Sequence, residues 1–175
     1  MTMIYGSAPT STYTRISEAS ITGFLETEIT TGKLITNNKI VLSNVVSQQG
    51  GSVRLQEFSL YQQDTSALGD LEKTDIDLYV FKNEDALGAL VSGSDFILDA
   101  TNTADMVCFH HKFVAADWVD LDANNTKLQL KGIDKLCPVA LAAQQSLAFC
   151  LVARASNTFA THTLKYFFGF DQVTV

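Results

Sequence analysis

The feature that most constrains the fold of this chain is a succession of short, β-rich runs separated by turn residues. Runs such as VRLQEFSLYQQD, DIDLYVFKN and SLAFCLVAR are rich in apolar and aromatic residues, and Asn, Asp or Gly occupies most intervening segments. No long stretch repeats its apolar residues with the 3.6-residue period of a helix. The sequence therefore predicts an all-β fold, and the favoured architecture is a jelly-roll-like, two-sheet antiparallel sandwich with at most short helical turns.

The expected strands begin at residue 13 and run to the end of the chain. Besides the three runs above they are YTRIS, KIVLSNVV, DFILDA, MVCFHHKFV, DWVDLD, TKLQLKG and LKYFFGFDQVTV. Two segments, EDALGALVSG and CPVALAAQQ, carry helical signals for about two turns each. The segment SQQGGS has two adjacent glycines and is interpreted as a hairpin turn.

Two of the runs also predict local detail. In VRLQEFSLYQQD the alternation of apolar side chains slips by one residue between Leu55 and Phe58, which indicates a β-bulge. In DIDLYVFKN aliphatic residues alternate with a set that includes Tyr79 and Phe81. Because neighbouring residues of a strand point to opposite faces, one face of this strand should be aliphatic and the other aromatic.

The length of 175 residues suits a single domain with a substantial core. Residues 1–12 are small, polar and rich in Ser and Thr, so we expect a flexible N-terminal arm. Residues 13–175 are expected to form the single β-sandwich domain, and no repeat of 20 to 50 residues is visible in the sequence.

The charge balance argues against nucleic acid and membranes as partners. Twelve basic residues face nineteen acidic ones, for a net charge of −7, and the basic residues form no cluster. No run reaches the roughly 18 apolar residues of a membrane span, and the first residues lack the features of a signal peptide. We therefore expect a protein made in a cytoplasm. The low charged fraction of 18% suggests that a partner covers part of the surface.

The three cysteines are interpreted as buried free thiols. Cys108, Cys137 and Cys150 are an odd number, and each lies in an apolar run. A disulfide framework or a zinc site is therefore not favoured. These apolar runs offer no evident cationic partner for a thiolate, so none of the three is expected to be an activated nucleophile.

The adjacent histidines His110 and His111 are not expected to form a site. Successive side chains of a strand point to opposite faces, so the two rings cannot easily ligate one metal ion. The His-x-His spacing of metal-binding cupin barrels is absent, and His162 lies far away in sequence. We expect one of the pair to face the core or a cleft and the other to face solvent.

The acidic segment DWVDLDANNTK resembles the opening of a calcium loop. Asp120, Asp122 and Asn124 have the D-x-D-x-N spacing, but Lys131 stands where a bidentate Glu belongs. A solvated turn between two strands is favoured, and a looser calcium site in that turn is the lesser alternative.

No catalytic, cofactor-binding or metal-binding residue is assigned, and the protein is expected to be no enzyme. No G-x-S-x-G motif is present. Tyr79 and Phe81, together with Trp118, would offer an aromatic platform to a sugar if they were exposed. Strand aromatics are more often part of the core, because they bury so much apolar area.

Three segments resemble parts of a group of small structural proteins of tailed bacteriophages: SQQGGSVRLQEFSLYQQD, DIDLYVFKNE and LAFCLVARASNTFATHTLKYFFGF. In that group a strand that ends in Phe, a polar residue and an acid precedes, at a distance, an L-V-A-R strand. A Thr/Ser-rich loop and a last strand then close the domain. The resemblance covers residues 35–172. It implies a β-sandwich protein of the virion, made in the cytoplasm of the host bacterium and of the head decoration, or cement, type.

A protein of this type would bind the outer surface of the phage head and stabilise it. Its partners would be the major capsid protein and copies of itself, as a homotrimer or another homo-oligomer, with no cofactor. One alternative is a tail- or fibre-associated virion protein or a carbohydrate-binding module, with an exposed aromatic patch at Tyr79 and Phe81 or at Trp118. A distant third is a small enzyme of cupin or hydrolase type, with a bound metal or a polar cleft.

Deleting residues 1–12 tests the predicted arm. The truncated chain should stay folded and monomeric but bind phage particles poorly, because an arm that becomes ordered on a neighbour adds contact area. Co-sedimentation of the truncated chain with particles measures this, and unchanged binding would contradict the prediction.

Overall fold

The computed structural model describes residues 13–21, 29–36, 39–46, 51–64, 71–82, 95–96, 107–139, 146–157 and 162–172. The strands within these residues are β1 (Tyr13–Ile21), β2 (Ile40–Leu42), β3 (Ser52–Asp64), β4 (Ile76–Phe81), β5 (Val107–Phe113), β6 (Val119–Asp122), β7 (Asn125–Pro138), β8 (Leu147–Ala153) and β9 (His162–Gln172). One turn of 3-10 helix spans Ala115–Asp117. A search of the described residues for a helix long and apolar enough to span a membrane finds none.

The strands form two antiparallel sheets. The five-stranded sheet has the order β1-β9-β3-β7-β6, and the four-stranded sheet has the order β2-β8-β4-β5. The chain passes from one sheet to the other at most steps, and only the β4–β5 and β6–β7 pairs are neighbours in both chain and sheet. Without β6, each sheet has four strands, and the chain changes sheet at every step except from β4 to β5, as in a jelly roll. The predicted jelly-roll-like sandwich is confirmed.

This topology corrects the interpretation of SQQGGS as a hairpin turn. Strand β2 belongs to the four-stranded sheet and β3 to the five-stranded sheet, so the segment between them crosses from one sheet to the other. Adjacent glycines permit a sharp change of direction whether or not the flanking strands pair with each other. Turn residues therefore mark where a strand ends but not which strand it pairs with.

An interlocked set of rings joins the two sheets in the core. Phe168 of β9 contacts Phe58 of β3 in its own sheet and Phe149 of β8 in the facing sheet, with ring centroids 4.9 Å apart in both pairs. Tyr166 also contacts Phe149, at 4.7 Å. Phe58, Phe149 and Phe168 are fully buried. Tilted and edge-on ring pairs of this kind add stability beyond the area they bury.

The predicted bulge in β3 is confirmed. The pairing of β3 with both neighbours shifts between Leu55 and Glu57. Against β9, Gln56 is the extra residue, whereas against β7 the three residues 132–134 lie opposite Gln56. The extra residue restores the inward direction of the following side chains, and Leu55 and Phe58 are both fully buried. On the facing stretch of β7, Gly132 and Asp134 have positive φ angles of 67° and 51°.

Strand β4 has the two unlike faces that the alternation predicts, and all six of its residues are buried. Its aliphatic side chains belong to the core between the sheets. Tyr79 and Phe81 lie on the opposite face, in a second apolar cluster with Leu34, Cys150 and the half-buried Phe96. The outer face of the four-stranded sheet is therefore covered around these residues.

Several sequence predictions fall partly or wholly outside the described residues. The arm 1–12, the segment EDALGALVSG and most of DFILDA do so, and Asp95 of DFILDA forms an isolated bridge with Lys33. The helical prediction for CPVALAAQQ is wrong at its start, because Cys137 and Pro138 end β7. Cys137 pairs with Val53 and is fully buried, so tertiary packing outweighs the local helix preference.

Leu78→Asp and Phe149→Asp should each unfold the protein. Both side chains are fully buried in the core, and an unpaired carboxylate there should cost more than about 4 kcal/mol. Val41→Asp is the matched control, because Val41 lies on a strand but is 40% exposed. Denaturant unfolding followed by circular dichroism measures the difference. A soluble Leu78→Asp variant that melts like the wild type would contradict the assignment of the sheet faces.

Candidate binding surfaces

A buried polar cluster lies on the outer face of the four-stranded sheet. Asp77 and Tyr79 are two residues apart on β4 and share this face, His110 is the β5 partner of Tyr79, and Arg154 follows the end of β8. Arg154 Nε donates to Asp77 Oδ2 at 2.6 Å, and its Nη2 contacts the same oxygen. Arg154 Nη2 also donates to the hydroxyl of Tyr79 at 2.9 Å. His110 Nε2 lies 3.1 Å from Asp77 Oδ2, and its ring stacks on Tyr79.

The charges in this cluster compensate one another. Burial by itself raises the pKa of Asp77, but hydrogen bonds and charge from Arg154 and His110 outweigh it, so the net pKa is lowered. Burial, together with the charge of Asp77, raises the pKa of Tyr79. The hydrogen bond that Arg154 donates to Asp77 raises the pKa of Arg154. At neutral pH the cluster is therefore an ion pair with a neutral phenol beside it.

The cluster joins neighbouring parts of one sheet and presents no activated group. Asp77 is ionised and almost completely buried, and the phenol of Tyr79 holds its proton more tightly than usual. One oxygen of Asp77, Oδ1, is buried without a hydrogen-bond partner in the described part of the chain. We interpret the cluster as a structural set of polar contacts that joins β4, β5 and the end of β8.

The two adjacent histidines point to opposite faces of β5, as predicted. His110 is exposed on the outer face, while His111 is half-buried on the inner side. The ring of His111 packs edge-on against Phe113 at 4.6 Å, in a cleft of about 380 Å³ that Asp117 and Gln129 also line. Burial lowers the pKa of His111. His162 lies in β9 of the other sheet.

The acidic segment forms the predicted turn between two strands. It connects β6 to β7, and Asp122 Oδ1 accepts the backbone N–H of Asn124 at 2.8 Å, as in an Asx turn. The side-chain amide of Asn125 donates to both oxygens of Asp122. Asp120 instead forms an ion pair with Lys73 at 2.6 Å. Among the described residues no group of three His, Cys, Asp or Glu side chains is placed to hold a metal ion.

The three cysteines are free and buried, as predicted. Burial raises the pKa of Cys150. Cys108 and Cys137 are hydrogen-bonded to each other within the core, and this contact, together with burial, raises the pKa of Cys108. A buried thiol with a raised pKa is a poor nucleophile.

Tyr79, Phe81 and Trp118 are buried, as the sequence favoured, so the exposed aromatic patch that the alternative hypothesis requires does not lie at these residues. These side chains are 6%, 0% and 6% exposed. Phe96 packs on Tyr79 with ring centroids 4.8 Å apart, which places it over the outer face of the sheet. The indole Nε1 of Trp118 donates to the carbonyl oxygen of Thr74 at 2.9 Å, so this side chain is part of the core.

Another aromatic pair does reach solvent. Tyr61 of β3 and Phe167 of β9 are half-buried on the outer face of the five-stranded sheet, with edge-on rings 5.2 Å apart. They line a shallow groove of about 210 Å³ together with Gln63, Asn125, Thr163 and Lys165. The sequence contains a signal for both, since each directly adjoins a core residue, Leu60 or Phe168, and so points away from the core.

Strand β6 is an exposed apolar edge. All four of its residues are exposed, and Val119 and Leu121 are 55% and 51% exposed. It ends the five-stranded sheet, and β7 is the one described strand with which it pairs. An edge of this kind leaves backbone N–H and C=O groups open to pair with another chain.

Comparison with known proteins does not identify this chain. No protein-family model matches it, and no curated protein matches it.

Arg154→Met should destabilise the protein by about 3 kcal/mol, because it leaves the buried carboxylate of Asp77 without its main partner. The double variant Asp77→Leu/Arg154→Met removes both charges and should regain most of that stability. Urea unfolding at pH 7 measures both. A single variant as stable as the wild type would show that the ion pair does not hold the sheet.

The stability that Asp77 contributes should depend on pH. Its pKa is lowered in the folded protein, so the contribution is fully present above the ordinary value of 3.8 and is lost as the pH falls through the folded-state pKa. The difference in unfolding free energy between the wild type and Asp77→Asn should therefore be constant near neutral pH and shrink below pH 3.8. A difference that grows in acid would contradict the assignment.

Proposed function

We propose that this chain is a non-enzymatic virion structural protein, a capsid decoration protein that binds the outer surface of a phage head. The observation that carries the proposal is strand β6. It is an extra strand added to the edge of a jelly-roll sandwich, and it exposes both apolar side chains and an open backbone edge. The resemblance of residues 35–172 to small phage structural proteins supports the same role.

An exposed edge strand is a liability that folded proteins usually cover or block. Here Asp120 and Asp122 provide partial protection, because charged residues in a strand discourage uncontrolled pairing. Val119 and Leu121 nevertheless remain available to a partner that offers a strand and an apolar groove. If the major capsid protein offers such a strand, the shell would repeat it in many copies.

The contact of a four-residue strand is small, so each site would bind weakly. Many copies on a repeating shell, or a homo-oligomer that contacts several subunits at once, would convert weak contacts into firm attachment. The net charge of −7 suits a position on the outside of the head, away from the genome. Residues 1–12, the proposed arm, would add to the contact.

The second candidate is a tail- or fibre-associated protein or a carbohydrate-binding module. The half-exposed pair Tyr61 and Phe167, with polar side chains around its groove, favours this role. Aromatic rings can pack on the C–H groups of a sugar, and neighbouring polar side chains can hydrogen-bond its hydroxyls.

Val119→Asp and Leu121→Asp should weaken attachment to phage particles by at least about tenfold while the protein stays folded. Both side chains are more than half exposed, so a charge there should cost less than about 0.5 kcal/mol of stability. Particles that lack the protein are mixed with purified variants, and the bound fraction is measured after sedimentation.

Leu136→Asp is the matched control, because Leu136 is 46% exposed but is paired with Arg54, at the far end of β7. Attachment of the β6 variants at the wild-type level would contradict the assignment of this edge. Equal losses in Leu136→Asp and the β6 variants would show that the effect is not specific to β6.

A further inference from the structure

We propose that the outer face of the five-stranded sheet is a binding site for an acidic saccharide, one that carries carboxylates on its sugar rings. The site consists of the aromatic pair Tyr61 and Phe167 and the flanking lysines Lys127 and Lys165. It is separate from the β6 contact, and the inference does not depend on where in a virion the protein is found.

The strand register places the two lysines on either side of Tyr61. In one row across the sheet, Tyr61 of β3 is paired with Lys127 of β7 and with Lys165 of β9. Directly paired residues of antiparallel strands project from the same face, with Cβ atoms about 5 Å apart. Both ammonium groups can therefore reach a ligand that lies on the ring of Tyr61.

The next row supplies neutral hydrogen-bonding groups. Gln63 of β3 is paired with Asn125 of β7 and with Thr163 of β9, and all three line the groove. Amide and hydroxyl groups of this kind can donate to and accept from the hydroxyls of a sugar. The groove of about 210 Å³ is smaller than the pockets that enclose drug-sized ligands, and its shallow form suits a ligand bound across a surface.

The charges favour an anion at this place on an otherwise acidic protein. Neither Lys127 nor Lys165 forms an ion pair within the described part of the chain, although Lys127 Nζ contacts Gln129 at 3.4 Å. The carboxylate of Asp122, in the turn before Asn125, accepts from the backbone N–H of Asn124 and from the side-chain amide of Asn125. Glu57, further along the face, accepts from Gln129. Two lysines thus flank Tyr61 on the neighbouring strands, in a chain whose net charge is −7.

The aromatic pair favours a saccharide over a simple anion as the ligand of this site. Lysines alone would attract phosphate or any carboxylate, but a half-exposed ring also offers an apolar face on which the C–H groups of a sugar ring can pack. The solvent-facing side of a sheet has no need of such rings to fill a core. Two aromatics beside two lysines therefore fit a ligand with apolar faces and negative charge together.

The test compares two β1,4-linked tetrasaccharides with the same backbone: a glucuronate tetramer, with a carboxylate at C6 of each ring, and cellotetraose, with a neutral hydroxymethyl group there. Titration of the ¹⁵N-labelled protein by NMR should show the uronate binding with a Kd on the order of 1 mM, and cellotetraose at least about tenfold more weakly. Shifts should centre on the rows of Tyr61 and Gln63. Raising the salt to about 0.5 M should weaken uronate binding, because the lysines are exposed to screening.

Lys165→Gln and Tyr61→Ala should each weaken uronate binding by roughly tenfold. Lys112→Gln is the matched control, since Lys112 is exposed on the other sheet and should bind as the wild type does. Lys165→Gln keeps the aromatic pair, so it tests the site even if Tyr61→Ala is less stable.

The proposal would be overturned if cellotetraose bound as tightly as the uronate, or if Lys112→Gln lost as much affinity as Lys165→Gln. It would also be overturned if the chemical shift changes lay away from the rows of Tyr61 and Gln63. A poly-glutamate peptide of the same charge that binds as tightly as the uronate would overturn it too, because the site would then be a general anion surface. These measurements use the purified chain, so their outcome is independent of attachment to phage particles.

Discussion

The contact on which the rest of the structure depends is the packing of Phe168 against Phe58 and Phe149. Phe168 belongs to β9, which lies between β1 and β3, while Phe149 lies on β8 of the facing sheet. These rings hold the sheets face to face, and the bulge at Gln56 keeps Leu55 and Phe58 directed inward on the same strand. Because the inner faces are closed in this way, function is left to the outer faces and the edges.

The outer faces of the two sheets differ in which side chains they leave exposed to a binding partner. On the four-stranded sheet, Phe96 and the cluster of Asp77, Tyr79 and Arg154 cover the surface, and the polar groups there bind one another. On the five-stranded sheet, Tyr61 and Phe167 remain half-exposed beside a groove. Strand β6 extends the same sheet and ends it in an open edge. Both proposed surfaces therefore belong to the five-stranded sheet.

Much of the fold could be predicted from local patterns. Alternation located the strands, the slip between Leu55 and Phe58 located the bulge, and the adjacency of His110 and His111 placed them on opposite faces. These features depend only on the period of a strand, which the sequence displays directly. Pairing partners could not be predicted in this way: the glycines of SQQGGS indicated a turn, but not that β2 and β3 lie in different sheets.

The candidate surfaces were harder to predict, because exposure depends on what covers a face. Tyr79 and Phe81 had the pattern of a possible platform, yet Phe96, distant in sequence, packs over Tyr79. Tyr61 and Phe167, which are half-buried on the other sheet, were missed. The contact of Arg154 with Asp77 could not be predicted from the sequence either, because the two residues lie 77 positions apart along the chain. Contacts between distant segments, rather than local patterns, decide which residues can act.

We propose that this protein is a structural component on the outside of a phage head. The decisive measurement is its copy number in purified particles, obtained by quantitative mass spectrometry against the major capsid protein. A decoration protein should be present in a number of copies comparable to that of the shell protein. A few copies per particle would place it in the tail or a fibre, and absence from particles would contradict a virion role.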